Sequence, residues 1–165
     1  RGCEPPGGGA AARVEAGWGG PLGLSDLRGA LPVEPFQGLI AARGWTGRID
    51  LDVERVLLRD GRPVEAAGHV VAKGLTAPYG NLGDFELLLG EGSVGGEGVS
   101  GRLRDLGTGP LRVRATIKLD ATGQYLMSGE AATAAGADPR IERALLYLGP
   151  PDSLGRRSFS IEGTL

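Results

Sequence analysis

From Arg48 onward, apolar and polar positions alternate: Ile49, Leu51 and Val53 are separated by Asp50, Asp52 and Glu54. A period of two is what a strand with one buried and one wet face requires, because successive side chains leave a pleated backbone on opposite sides. The phase slips beyond Val53, where Val56 and Leu58 take the other parity, and this predicts either a bulge near Arg55 or a strand whose second half is covered on both sides. Asp60-Gly61 follows and predicts a two-residue hairpin, since both residue types tolerate the positive φ of that turn. The return strand is expected over 63–73, with Val64, Ala66, Gly68 and Val70 on one side.

The same pattern recurs along the chain. It appears over 82–89 with Phe85, Leu87 and Leu89, and over 94–106 with Val99 and Leu103. Over 111–119, Leu111, Val113, Ala115, Ile117 and Leu119 alternate with Arg112, Arg114, Thr116 and Lys118. A turn at 120–123 leads into 124–131, where Tyr125 and Met127 are in phase, and a last strand over 157–165 carries Phe159 and Ile161. One stretch has a different period. Asp138-Pro139 offers an N-cap and a first-turn proline, Ile141, Leu145 and Leu148 recur at helical spacing, and Gly149-Pro150-Pro151 ends the run. The fold class that follows is mainly β: a curved antiparallel sheet in meander order, with one short helix near 138–148.

Ahead of Arg48 the pattern weakens. Residues 1–24 are rich in glycine, proline and alanine and have no apolar period, so they are expected to form a linker or poorly ordered arm from which Trp18 can still dock. In the next stretch Ser25 is placed to cap a short turn, and Pro35 to start a helical segment through Ala42 that ends at Gly44. The chain thus divides into an arm, 1–24, and one β domain, 25–165. A length of 165 residues suits a single core. With 31 glycines the chain is far above average usage, which fits short strands joined by many reversals.

Charge and rare residues narrow the functional classes. A net charge of -2, from 18 basic and 20 acidic residues, gives no long-range attraction for nucleic acid. Cys3 is the single cysteine, so an internal disulfide is excluded and the redox compartment is left open. No run approaches the ~20 apolar residues of a membrane-spanning helix. The chain starts at Arg1 rather than Met, and an upstream anchor or a processed N-terminus is expected.

Three features resemble chemical motifs. His69, the single histidine, lies mid-strand on the polar parity with Glu65 and Lys73, where a surface or rim role is favoured over general base catalysis. One histidine and one cysteine cannot assemble a usual zinc set or a Cys-His nucleophile. Asp50 and Asp52 share a strand face and would serve a divalent ion only if other oxygens converged, whereas cross-strand pairing with cations needs nothing more; Arg112, Arg114 and Lys118 are candidates for that pairing. Gly96-Glu97-Gly98-Val99-Ser100-Gly101 matches a dinucleotide-binding pattern but runs on into Gly107, Gly109 and Pro110 instead of opening a helix, so a softened strand or hairpin tip is the better reading. No catalytic, cofactor or metal residue is assigned, and no enzyme or cofactor is expected.

Several short stretches in order resemble the type II secretion system protein N family, in the C-terminal part of its periplasmic region. They are Gly23-Leu24-Ser25-Asp26-Leu27-Arg28-Gly29, the pair running from Gly47-Arg48-Ile49 to Arg62-Pro63, Asn81-Leu82-Gly83-Asp84-Phe85, and Ala144-Leu145-Leu146-Tyr147-Leu148-Gly149-Pro150-Pro151 followed by Phe159 to the end. The resemblance implies a protein anchored in the inner membrane of a Gram-negative bacterium with its bulk in the periplasm. Its implied partners are the other inner-membrane platform proteins and the periplasmic modules of the secretin. A non-catalytic interaction domain linking the two is therefore expected. The alternative is a β-trough for a lipid or other apolar ligand, which in-phase Leu, Val, Phe and Met side chains would line.

Overall fold

Alternation becomes pairing in the computed structural model, which describes residues 9–16, 20, 22–34, 43–90 and 98–164. Nine strands run through them: β1 Ala10–Ala16, β2 Leu22–Pro32, β3 Thr46–Arg59, β4 Arg62–Ala77, β5 Gly80–Leu89, β6 Gly98–Asp105, β7 Leu111–Asp120, β8 Gln124–Thr133 and β9 Arg157–Thr164. They form one antiparallel sheet whose spatial order is the sequence order, and it is not closed, so β1 and β9 are its two edges. The mainly β, meander-type expectation is borne out.

The punctuation of the chain explains its strands. Asp60 and Gly61 both take positive φ, 53° and 75°, and turn β3 into β4 in two residues. The register of that pair shifts between Val53 and Arg55, so of the two readings of the change of parity the bulge is the one present. Between β7 and β8, one Asp120 Oδ1 accepts from the Thr122 amide at 2.9 Å, the Thr122 hydroxyl at 2.6 Å and the Gln124 amide at 3.0 Å, so a single carboxylate organises the turn.

The N-terminal third differs from expectation. Ser25 caps no turn; it lies inside β2, which pairs with β3 from Leu22↔Leu58 to Pro32↔Arg48. The alternation was hidden by Asp26, whose φ of 52° inserts a kink between Ser25 and Leu27, so that Leu24 faces Val56 and Leu27 faces Val53 despite their odd spacing. Within the stretch expected to be a linker, Ala10–Ala16 forms β1 and pairs with β2. Main-chain bonds stabilise it, since its one large apolar residue, Val14, is 60% exposed. The helical segment expected over 35–42, Trp18 and Cys3 lie outside the described residues.

The core lies on one side of the sheet, toward one end. Helix α1, Pro139–Leu145, continues as a 3-10 turn over Leu146–Leu148, close to the expected span. Asp138 caps it by accepting from the Arg140 amide. Ile141 is 2% exposed and completes a cluster with Ala77, Leu82, Phe85, Val113, Ala115 and Ala131, against which Leu145, Leu148 and Phe159 also pack. Trp45 meets Tyr79 edge to face, with ring centroids 6.5 Å apart, and closes the same end.

Candidate functional site

The register sorts side chains into an apolar and a polar face. One cross-strand row on the apolar face reads Leu51, Val70, Leu87, Leu103, Ala115, Gly129, Phe159. The next holds Val53, Gly68, Leu89, Gly101, Ile117, Met127 and Ile161. The helical cluster covers the end near Leu82, Phe85 and Ala131, while Leu51, Val70, Leu87, Leu89 and Ile117 remain half-buried and Ile161 is 44% exposed.

On the polar face, the row through Val71 reads Asp50, Val71, Glu86, Arg104, Arg114, Glu130, Ser158. Glu86 is the buried charged residue of the core region, 9% exposed. Its Oε2 accepts from Arg104 Nε, and its Oε1 lies 2.7 Å from His69 Nε2. The Arg104 guanidinium, with help from His69, holds the Glu86 carboxyl below the usual carboxylate range although burial pushes the other way. Ionised, it only accepts, so His69 Nε2 carries the shared proton.

Asp50 and Asp52 each hold a cation of a neighbouring strand, and Asp50 also holds Arg48 of its own strand. Asp50 is 2.8 Å from Lys73 Nζ and 2.7 Å from Arg48 Nε, and Lys73 followed by Arg48 lowers its carboxyl. Asp52 accepts from Arg28 at 2.9 Å. The pairing candidates read from sequence, Arg112, Arg114 and Lys118, are corrected here: they sit on β7, with β4, β5 and β6 between them and β3. Among the described residues, no group of three His, Cys, Asp or Glu side chains converges to hold a metal. Of the glycine pattern at 96–101, Gly98 to Gly101 form the start of β6, opposite Asp120 to Ile117 of β7, and a strand rather than a helix follows.

These carboxylates set an acid limit on stability. Glu86 and Asp50 titrate below their ordinary values of 4.5 and 3.8, and Asp138, beside Arg140, is lowered to about 2. Each folded-state pKa is depressed, so the unfolded chain takes up protons first on acidification. The stabilisation is complete above the ordinary carboxylate range and is lost as pH falls through the folded values. The urea midpoint is expected to fall between pH 4.5 and about 2, with a shallower fall in Glu86→Gln. A midpoint that is flat across this window contradicts the assignment.

His69 thus sits where the sequence puts it, on the polar face, with its side chain 42% exposed. Its partner Glu86 was missed, although the Phe85, Leu87, Leu89 parity marks Glu86 as polar-facing and β4 and β5 are consecutive. Also unread was an open depression of about 610 Å3 lined by Arg104, Asp105, Arg112, Arg114, Glu130 and Arg156 over a floor of Val113, Ala131 and Ala132.

Fold and surfaces together define an open antiparallel β protein that presents sheet edges, an apolar face and a charged face. The chain belongs to the family of type II secretion system (T2SS) protein N, whose family model matches residues 4–160. It is thus a component of type II secretion, in a family whose members contact other parts of that machinery. Comparison with curated proteins and with solved structures finds no match. No helix among the described residues is long and apolar enough to cross a membrane.

Proposed function

We propose that this chain is a non-catalytic periplasmic interaction domain of an inner-membrane-anchored secretion component, linking the inner-membrane platform to the periplasmic modules of the secretin. The observation that carries the reading is the state of the β9 edge. Arg157–Thr164 pairs with β8 in an unbroken register of eight residues, without proline, lysine or a bulge, and its two charged residues, Arg157 and Glu162, leave the run 158–161 uncharged. Edges left to face water are commonly blunted by charge, proline or a bulge. β1, at the other edge, shows such a break: its register with β2 shifts between Ala11 and Arg13. An edge whose ladder runs unbroken is a template for a partner strand, which gains affinity from main-chain bonds without special side chains.

A photo-crosslinking residue placed at Ser160 in the full-length protein, in secreting cells, is expected to capture a platform protein or the secretin. The same probe at Arg13 should capture neither. Absence of any assembly component from the Ser160 adducts sinks the proposal.

A second reading rests on the incomplete cover over the apolar face. Half-buried Leu51, Val70, Leu87 and Ile117 are the lining that an acyl chain would meet. Native mass spectrometry distinguishes this trough by a co-purifying lipid whose loss follows Leu87→Asp.

A further inference from the structure

We infer that the partner strand accepted by β9 carries two apolar side chains at alternate positions, laid beside Phe159 and Ile161, and next to them a lysine or arginine, laid beside Glu162. This rests on reading β9 as a docking edge and adds the chemistry that selects the partner segment.

The two parities of β9 end two kinds of cross-strand row. On the apolar face, Phe159 follows Ala115 and Gly129, while Ile161 follows Ile117 and Met127. Burial falls outward along the row of Ile161: Val53 on β3 is 3% exposed, Ile117 and Met127 are half-buried, and Ile161 is 44% exposed. Because β9 is an edge, the open flank of Ile161 is the outer one. A side chain on an added strand would stand there about 4.5–5.5 Å away. The row beyond has no such demand, since the Tyr125 ring lies over Gly163, where a β-carbon would meet the phenol oxygen at 2.6 Å. The apolar requirement is thus confined to two positions, opposite 159 and 161.

On the polar face, carboxylates of the inner strands hold cations: Asp50 holds Lys73, Asp52 holds Arg28, Glu86 holds Arg104 and Glu130 holds Arg156. The Glu162 side chain is exposed and makes no hydrogen bond or ion pair among the described residues. Its neighbour on β8 is Leu126, and Lys118 stands one strand further in. Opposite charges facing each other across a ladder attract and like charges repel, so the position facing Glu162 favours a cation and rejects an acid.

Adjacency of 161 and 162 fixes the order of these residues in the partner. An antiparallel segment reads cation, apolar, any residue, apolar, and a parallel segment reads the reverse. Successive side chains leave a strand on opposite sides, so the cation meets the polar face while its apolar neighbour meets Ile161.

The test uses the whole chain and two labelled cyclic hairpin peptides, presenting Lys-Val-Thr-Val and Val-Thr-Val-Lys for the two strand directions, with binding read by fluorescence anisotropy. A cyclic strand is already extended and loses less freedom on docking. One of the two is expected to bind saturably. Exchanging its Lys for Glu should weaken binding about fivefold, and exchanging both Val for Ser about tenfold. Glu162→Lys should reverse the preference between the Lys and Glu peptides without moving the urea midpoint. Glu54→Lys, the same charge change at an exposed site on β3, should leave the preference as it is. A preference that Glu162→Lys does not reverse, a reversal also produced by Glu54→Lys, equal binding of the Ser peptide, or no saturable binding by either hairpin overturns the inference. A dimer of the chain, seen by sedimentation and dissociated by Ile161→Lys, makes a second copy the occupant and overturns it as well. Capture of a platform protein or the secretin at Ser160 stands through each of the peptide outcomes, so the two proposals fail separately.

Discussion

Ile141→Ala is expected to destabilise the domain by about 2–5 kcal/mol, the range for emptying a buried aliphatic site, measured by urea unfolding. Ile141 is the one α1 residue that is fully buried, 2% exposed, and its Cδ1 lies 3.7 Å from where a β-carbon on Gly80 would be. Around it are Leu82, Phe85, Val113 and Ala131, contributed by three strands, so the cavity would open where the helix meets the sheet. Alanine is the better helix former, so the loss reports packing rather than propensity. Leu146→Ala in the adjoining 3-10 turn, at a site 60% exposed, should change stability by less than about 0.5 kcal/mol. Equal effects at the two positions would show that α1 does not anchor on the sheet.

Gly129→Val is expected to be more severe still, with loss of two-state unfolding or of soluble protein. Gly129 faces Ala115 on one side and Phe159 on the other. A β-carbon there would lie 2.2 Å from the Arg114 carbonyl oxygen and 2.6 Å from Ala115 Cα, and a backbone cannot step aside as a side-chain tip can. β7 and β8 would have to separate at the middle of their ladder. Gly61→Ala provides the contrast: nothing lies within 4 Å, but φ is 75°, so the cost is conformational, about 1–2 kcal/mol. A Gly129→Val protein with a urea midpoint like that of Gly61→Ala would refute the close approach of the two strands.

What was legible in the sequence follows the physical origin of each signal. Alternation over 111–119, the Asp60-Gly61 turn, the slip at Arg55 and the Asp138-Pro139 start are local, and each appears where its residues stand. β2 was unreadable because one residue, Asp26, takes a positive φ and offsets the apolar positions on either side of it. β1 was unreadable because its stability comes from the neighbour it pairs with, and Ala10–Ala16 carries almost no side-chain pattern.

The site depended on strand order. With order unknown, Arg112, Arg114 and Lys118 were as good partners for Asp50 as any others. With each strand beside its chain neighbours, Arg28 on β2 and Lys73 on β4 are the cations within reach. The arginine depression needed one step more, since it brings Arg156, from the segment just before β9, against Glu130 on β8.

Because spatial order repeats chain order from β1 to β9, no ribbon has to wait for a distant one before it finds its place. A polypeptide emerging from a narrow channel one end first can add hairpin upon hairpin as each is released, with little exposed length left unpaired. The first ribbon keeps one flank throughout and the newest holds the other, so each further ribbon of the chain joins at the side that arrived last.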